Sequence, residues 1–361
     1  SLLASVAWHA HVMEVGDNEV AGFDVAVINA WLPTVSDAAS PFTWTRLEGG
    51  HSNLTYLIAD ANGREFVIRR PPQGELLPKA HDMWREYRII DGLWPTAVPV
   101  AEPVSYQDDR TLCDVHFYVM GKVEGDALYT GEEVSKLLDP AARKRAGESF
   151  VDTLAALHSI APEDVGLQDL GRPDGYVARQ LKTWYGSWTA SVVDAGYDDP
   201  RTHQLHELLS TNIPQQGQGR VVHGDFGPHN CLFLGDGTLS AVLDWEIATL
   251  GDPLADIAYS INAWTEAGDN IAEGVDAPTV LDGFPSRQAL MERYAAATGA
   301  DLSLMPYYRA FNWFKTACII HGVYARYRAG KKSTEGVDMD LLHTRIGIAL
   351  DNAETLAGGI L

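Results

Sequence analysis

The strongest constraint on this chain is a change of period. Between Phe42 and Met120 the apolar residues gather in short β-type runs, and beyond Gly121 they recur at helical spacing. Residues 43–47, 54–59 and 65–69 read as strands, separated by Gly49-Gly50 and by the hairpin-turn sequence Asp60-Ala61-Asn62-Gly63. A helix over 80–93 follows, with Met83, Tyr87 and Ile90 on its apolar face, and further strands end in the apolar run 115–120. Residues 143–160, 176–195 and 205–209 then read as helices. A strand-and-turn stretch over 221–244 interrupts them, and Asp252-Pro253 starts the next helix with an acidic cap and Pro in the first turn. The order predicts an α+β chain: an extension over 1–39 with a helix at 23–32, a small β-rich N-lobe over 40–120, and a larger α-helical C-lobe over 121–361.

At 361 residues and 46% hydrophobic, the chain can bury a core in each lobe. No apolar run reaches the ~20 residues of a membrane span, and Ser1 to Ser5 lack the basic start of a secretory leader. Cys113, Cys231 and Cys318 are widely spaced and odd in number, which fits core positions and a cytoplasmic setting rather than a disulfide framework or zinc site. A net charge of −22 disfavours nucleic acid as a partner. It would suit a cationic substrate, although solubility explains it equally simply. Arg326, Arg328, Lys331 and Lys332 form a basic cluster at the end of an apolar helical stretch. It reads first as charge complementing a helix C-terminus, and alternatively as an anion site.

The chemistry centres on residues 223–230, His-Gly-Asp-Phe-Gly-Pro-His-Asn. Asp225 is followed five residues later by the carboxamide of Asn230, and the apolar run Ala241-Val242-Leu243 then delivers a second carboxylate, Asp244. The turn Gly235-Asp236-Gly237 between them predicts a hairpin that returns Asp244 to Asn230. Phosphoryl transfer requires such a set: a carboxylate that orients the attacking hydroxyl and accepts its proton, and oxygen ligands for Mg²⁺. A single Asp here would more often be a turn or cap residue, but the three at this spacing match a kinase catalytic loop and its metal-binding Asp.

The N-lobe offers supporting parts. Gly49, Gly50, His51, Ser52 and Asn53 lie between two strands, where backbone could fold over phosphates, although a Gly-Gly turn is often only a turn. The strand 65–69 ends in Arg69 and Arg70, and alternation lets only one of them face a nucleotide. Glu86 shares the apolar face of the helix over 80–93 and so needs a partner, for which Arg69 is the natural candidate. An ordinary surface Arg beside a helix Glu is the plainer alternative.

His223-Gly224-Asp225 with Asn230, Leu243-Asp244-Trp245-Glu246, and Gly251-Asp252-Pro253 with Asp256 together resemble the aminoglycoside phosphotransferase and choline kinase superfamily. Arg69-Arg70-Pro71-Pro72, Ala80-His81-Asp82-Met83 and Arg85-Glu86-Tyr87 resemble a narrower branch. That branch is the phosphotransferase domain fused to, or encoded beside, acyl-CoA dehydrogenases. The resemblance, over about residues 40–350, implies a bilobal protein-kinase-like fold with ATP, or alternatively GTP, between the lobes. It implies Asp225 as catalytic base, Asn230 and Asp244 on Mg²⁺, and residues 49–53 as the nucleotide-positioning loop. It also implies residues 117–120, with Tyr118 and Met120, as the hinge whose backbone reads the base. Glu86 would pair with the phosphate-gripping cation, and Asp256 would brace the catalytic loop. Kinase-fold enzymes usually carry Lys where this chain has Arg69, and Arg is not a geometric substitute for it.

The acceptor is less legible. Trp184, Tyr185, Trp188, Trp264, Tyr307, Tyr308, Trp313 and Phe314 are mostly core by expectation, with some free to line an apolar acceptor pocket. Three readings follow. The first is a small-molecule kinase whose acceptor, by the branch it resembles, is a hydroxyacyl-CoA or hydroxy acid, with the basic cluster as a CoA contact. The second is an aminoglycoside or amino-alcohol kinase, and the third a non-catalytic nucleotide-binding scaffold.

Overall fold

A computed structural model describes residues 20–47, 53–73 and 82–359, together with the backbone of 13–14. In the N-lobe, strand β1 (Met13–Glu14) is followed by helix α1 (Val25–Trp31), which starts where the Asp24 side chain accepts the N–H groups of Ala26 and Val27. Strands β2 (Thr43–Arg46), β3 (Leu54–Ala59) and β4 (Glu65–Arg70), helix α2 (Met83–Leu93), and strands β5 (Pro103–Gln107) and β6 (Phe117–Gly121) complete the lobe. The sheet order is β1-β2-β3-β4-β6-β5, antiparallel at every pairing. Asp60 fixes the β3–β4 turn by accepting the N–H groups of Asn62 and Arg64, with Gly63 at φ 80°.

Strand alternation divides this sheet into two chemical faces. Phe66, Ile68, Phe117 and Val119 pack with Phe23, Val25 and Ile28, so the N-terminal extension shares a core with the N-lobe. Val67, Tyr118 and Met120 face the other way, into a core shared with Met83, Ile89, Ile90 and Leu93 of α2. Asp82 caps α2 by accepting the Arg85 N–H, which places its start at Met83 rather than residue 80. From this helix Arg85 donates to the Ala248 carbonyl at 3.1 Å, and Arg88 reaches Asp169 and the Gly166 carbonyl, so α2 is tied to the C-lobe.

The C-lobe contains α3 (Gly131–Leu137), α4 (Pro140–Ser159), α5 (Tyr176–Ala195), α6 (Pro200–Thr211), β7 (Arg220–Val222), β8 (Cys231–Phe233), β9 (Leu239–Val242), β10 (Thr249–Gly251), α7 (Pro253–Ala263), α8 (Arg287–Thr298), α9 (Met305–Arg328) and α10 (Met339–Ala357). Helix α6 starts well before residue 205 because Asp199-Pro200 is the same start signal as Asp252-Pro253, Asp199 accepting the Arg201 N–H. Helix α9 is the axis of the lobe, packed by α5, α7 and α10 and buried on most sides.

Two short ribbons, β8–β9 and β7–β10, carry the connecting loops onto this helical body. The β8–β9 turn needs glycine at 237: with φ at 86°, a Cβ there would lie 2.0 Å from the Ala142 carbonyl of α4. The basic cluster is largely structural. Arg328 donates to the Ala195 carbonyl at the end of α5, and Lys331 pairs with Asp194 at 2.6 Å. Arg326 remains exposed. Among the described residues no helix is long and apolar enough to cross a membrane.

Candidate active site

Strand β7 runs directly into His223-Gly224-Asp225, and α7 holds that turn from beneath. The Asp256 carboxylate accepts the N–H of His223 at 2.7 Å and of Gly224 at 2.8 Å. It also meets His158 Nε2 at 3.2 Å, and His158 Nδ1 in turn meets the Tyr294 hydroxyl at 2.7 Å. The His223 ring joins the two halves of the site. Its Nε2 lies 2.8 Å from the Leu243 carbonyl, while its Nδ1 accepts the Asp225 N–H at 3.3 Å. This network assigns the ring proton to Nε2.

Asn230 donates its amide to the Asp225 carbonyl at 2.9 Å and to Asp225 Oδ2 at 3.2 Å, which turns its own Oδ1 away from that carboxylate. The Leu243 N–H donates to the Asn230 carbonyl at 2.8 Å, so the hairpin returns Asp244 beside Asn230, as the turn sequence predicts. Asp244 stands at φ 60°, ψ 58°, the one non-glycine residue with positive φ among the described residues.

Asp225 is buried, with Tyr259 donating its phenol to Oδ1 and His229 Nε2 at 3.6 Å from the same oxygen. Burial pushes this carboxyl up, but the His229 imidazole and the Tyr259 hydroxyl outweigh it and hold it well below the usual carboxylate range. Glu246 behaves oppositely: burial first, then the charges of Asp244 and Glu86, push it up to about 7 against the pull of Arg69. Asp244, Glu246, Glu86 and Arg69 therefore share one electrostatic field across the two lobes.

Arg69 Nη1 pairs with Glu86 Oε2 at 3.0 Å, and the Tyr118 hydroxyl donates to the same oxygen at 2.9 Å. Arg70 leaves from the opposite face of β4, toward α1, where it holds the Gly22 carbonyl and pairs with Asp114 at 2.7 Å. Alternation thus puts Arg69 on the α2 side, with Asp244 among the charges acting on it. Tyr118 joins the pair through its phenol. In β6, Tyr118 stands opposite Arg69 of β4 and Tyr106 of β5, and Met120 opposite Val67 and Pro103. Asn53 is buried at the start of β3, while Gly49, Gly50, His51 and Ser52 lie outside the described residues.

Tyr259 and Lys315 were not singled out by spacing. Lys315, on α9, is 6% exposed and donates to the Gly224 carbonyl at 3.1 Å, with the rings of Tyr259 and Trp184 at 5.4 and 6.0 Å from its ammonium. A lysine inside an apolar helix is the one sequence signal that marked it. Trp188 and Trp264 are core, and Trp184 is half-buried.

A family model for phosphotransferase enzymes matches residues 43–311. The chain belongs to the phosphotransferase enzyme family. It is 33% identical to acyl-CoA dehydrogenase family member 11 from Homo sapiens over 311 residues, which are 83% of this chain and 38% of that protein. It is 31% identical to acyl-CoA dehydrogenase family member 10 from Mus musculus, over 82% of this chain and 28% of that protein. The chain thus spans well under half the length of these relatives. A crystal structure from Ralstonia eutropha JMP134, provisionally named an aminoglycoside phosphotransferase, superposes with a TM-score of 0.78 at 27% identity, covering 92% of this chain and 99% of that one. The GDP complex of aminoglycoside 2'-phosphotransferase-IIIa shares the fold, with a TM-score of 0.56 at 14% identity over 91% of this chain and 97% of that one. The architecture is accordingly the bilobal kinase-like fold of this family, and the chain is a phosphotransferase acting on hydroxyl groups.

Proposed function

We propose that this phosphotransferase moves the terminal phosphate of ATP, with GTP as the alternative donor, onto the hydroxyl of a hydroxyacyl-CoA or hydroxy acid. The observation that carries the transfer step is the coupling of Asp225 to Asn230. A carboxylate kept ionised in a buried loop is poised to accept a proton, and the Asn230 amide fixes its second oxygen. In this reading Asp225 Oδ2 takes the acceptor's hydroxyl proton. The acceptor oxygen bonds to the terminal phosphorus as the bond from phosphorus to the bridging oxygen breaks, and the nucleoside diphosphate leaves. Tyr259 holds Oδ1, so the carboxylate cannot rotate away from the acceptor.

The donor set suits a hard divalent cation. Asn230 turns its amide nitrogen to Asp225 and keeps Oδ1 for another partner, and Asp244 brings a carboxylate beside it. Glu246, pushed up first by burial and then by the charges of Asp244 and Glu86, marks a place where added positive charge would be favourable. Among the described residues no three His, Cys, Asp or Glu side chains converge on a metal by themselves, so phosphate oxygens would complete the shell. When bound, Mg²⁺ neutralises charge on those phosphates. On the N-lobe side, Arg69, fixed by Glu86 and Tyr118, would grip phosphate from above. Residues 49–53 would cover it, and the segment with Tyr118 and Met120 would read the base.

The acyl acceptor is favoured because the relatives named above are acyl-CoA dehydrogenase family members, which also suggests a working link with such a dehydrogenase. The test is release of nucleoside diphosphate from Mg-ATP across hydroxyacyl-CoAs, hydroxy acids, choline and aminoglycosides. Stimulation by acyl acceptors, reduced about a thousandfold or more in Asp225→Asn with nucleotide binding retained, is the expected result. Stimulation only by amino alcohols or aminoglycosides would replace the acceptor class. Transfer that survives Asp225→Asn would refute the base.

A further inference from the structure

Lys315 is the feature of the C-lobe that the transfer machinery does not use. It projects from α9, four residues beyond the stretch matched by the family model, and its ammonium is more than nine-tenths buried. Among the described residues it donates one hydrogen bond, to the Gly224 carbonyl at 3.1 Å, leaving two of its three N–H groups without a partner there. Among the described residues no carboxylate lies within ion-pair distance of it. Asp225 and Asp256 act on it only as more distant charges, and aromatic faces of Tyr259 and Trp184 flank it. Burying an ammonium this way is costly. Replacing it with an apolar side chain would relieve that cost, so stability alone gives no reason for a charge here.

Position gives a reason. Gly224 adjoins Asp225, and Tyr259 touches both partners, its ring against the ammonium and its hydroxyl on Asp225 Oδ1. The lysine therefore stands about one aromatic ring from the oxygen pair that would receive the acceptor's proton. We propose that Lys315 is the specificity-determining residue of the acceptor site, and that it recognises an acyl oxygen, carboxylate or thioester carbonyl, held a short carbon spacer from the hydroxyl to be phosphorylated. This rests on the transfer reading above and adds to it the group that selects the acceptor. The same cation, fixed in the floor beside Asp225, would repel the ammonium of an amino alcohol or aminoglycoside. That opposes what the net charge of −22 would suggest by itself.

The test compares the full chain with Lys315→Met and Lys315→Gln. The second variant can still donate to the Gly224 carbonyl but carries no charge. Acceptors are a series of free hydroxy acids of increasing spacer length, their CoA thioesters, neutral diols of matching length, and ethanolamine. Turnover is followed by diphosphate release. Binding of the same hydroxy acids to protein loaded with Mg²⁺ and a non-hydrolysable ATP analogue is followed by calorimetry.

Both variants should raise KM for the acyl-bearing acceptors by roughly tenfold to a hundredfold, the effect of losing one charge-assisted hydrogen bond. They should abolish the preference over neutral diols, leave nucleotide affinity unchanged, and in Lys315→Met leave Tm equal or higher. A loss confined to free acids assigns the carboxylate, and a loss shared with thioesters assigns the acyl carbonyl. An equal fall in kcat for every acceptor, with lowered Tm, would mean that the lysine only braces Gly224, and the proposal would be wrong. If the wild type phosphorylated nothing in the panel, the transfer reading would fail. Calorimetric binding that is present in wild type and absent in both variants would still uphold the lysine, and unchanged binding would overturn it.

Discussion

Asp256 carries the sharpest stability prediction. Its carboxylate is buried and accepts three hydrogen bonds, from the backbone N–H groups of His223 and Gly224 at 2.7 and 2.8 Å and from His158 at 3.2 Å. Asp256→Ala leaves two buried amides and an imidazole nitrogen without an acceptor. At about 1–3 kcal/mol per orphaned group, less local relaxation, the expected loss is about 3–6 kcal/mol. Against a typical total of about 5–15 kcal/mol, the variant stays folded but weakened. Asp256→Asn keeps one oxygen and turns an amino group toward the other N–H, for a loss of about 1–3 kcal/mol.

Urea unfolding measures the global term, and amide hydrogen exchange at His223 and Gly224 measures the local one. Phosphate transfer should fall more than nucleotide affinity, because the displaced turn carries Asp225 rather than the phosphate grip. The pH dependence has a definite sign. Burial pushes the Asp256 carboxyl up, yet His158, His223 and the Gly224 N–H bring it below its ordinary value. Its contribution is therefore complete above the unfolded pKa, about 4, and is lost as pH falls toward the folded one, so the gap between wild type and Asp256→Asn should narrow in acid. An Ala variant within about 1 kcal/mol of wild type, or one that keeps full transfer rates, would refute the bracing argument.

Two further outcomes can be checked directly. Asp244→Asn should weaken Mg-dependent nucleotide binding roughly tenfold or more while sparing binding without Mg²⁺, since Asn tolerates the left-handed backbone there as well as Asp does; titration calorimetry with and without the metal decides it, and equal weakening in both would remove Asp244 from the metal site. Arg328→Ala should cost about 1 kcal/mol in urea unfolding without changing acceptor KM, because its guanidinium caps α5, whereas Arg326→Ala should leave stability alone and raise KM for CoA thioesters only. The reverse pattern would give the basic cluster the opposite assignment.

Much of this was legible in the sequence because it is local. The Asp225 to Asn230 spacing and the Gly235-Asp236-Gly237 turn fix a hairpin within some twenty residues, and the structure closes it as expected. Glu86 on an apolar helical face required a partner, and Arg69 provides it. The choice between Arg69 and Arg70 could not be read from β4 alone. It depends on which face α2 covers and which α1 covers, and both helices lie outside the strand. That the Tyr118 phenol also meets Glu86 could not be read from β6, because the contact depends on where α2 lies over the sheet. Lys315 lies 91 residues from Gly224, on a helix buried nearly all round, where no amphipathic stripe distinguishes a site-facing position from a core one.

The bond from Arg85 to the Ala248 carbonyl joins residues 163 positions apart in the chain. During synthesis, α2 leaves the ribosome long before its C-lobe anchor exists. At about 5–20 residues per second, the wait is roughly 8–30 s. Through that interval the nascent N-lobe can form its own ion pair between Arg69 and Glu86, since both residues are already present. It cannot seat α2 against Ala248 until the loop that follows β9 and carries Asp244 has been made. The contacts between α2 and the C-lobe thus come long after the N-lobe is made, and the growing chain holds half of a phosphate site before it holds any catalytic centre.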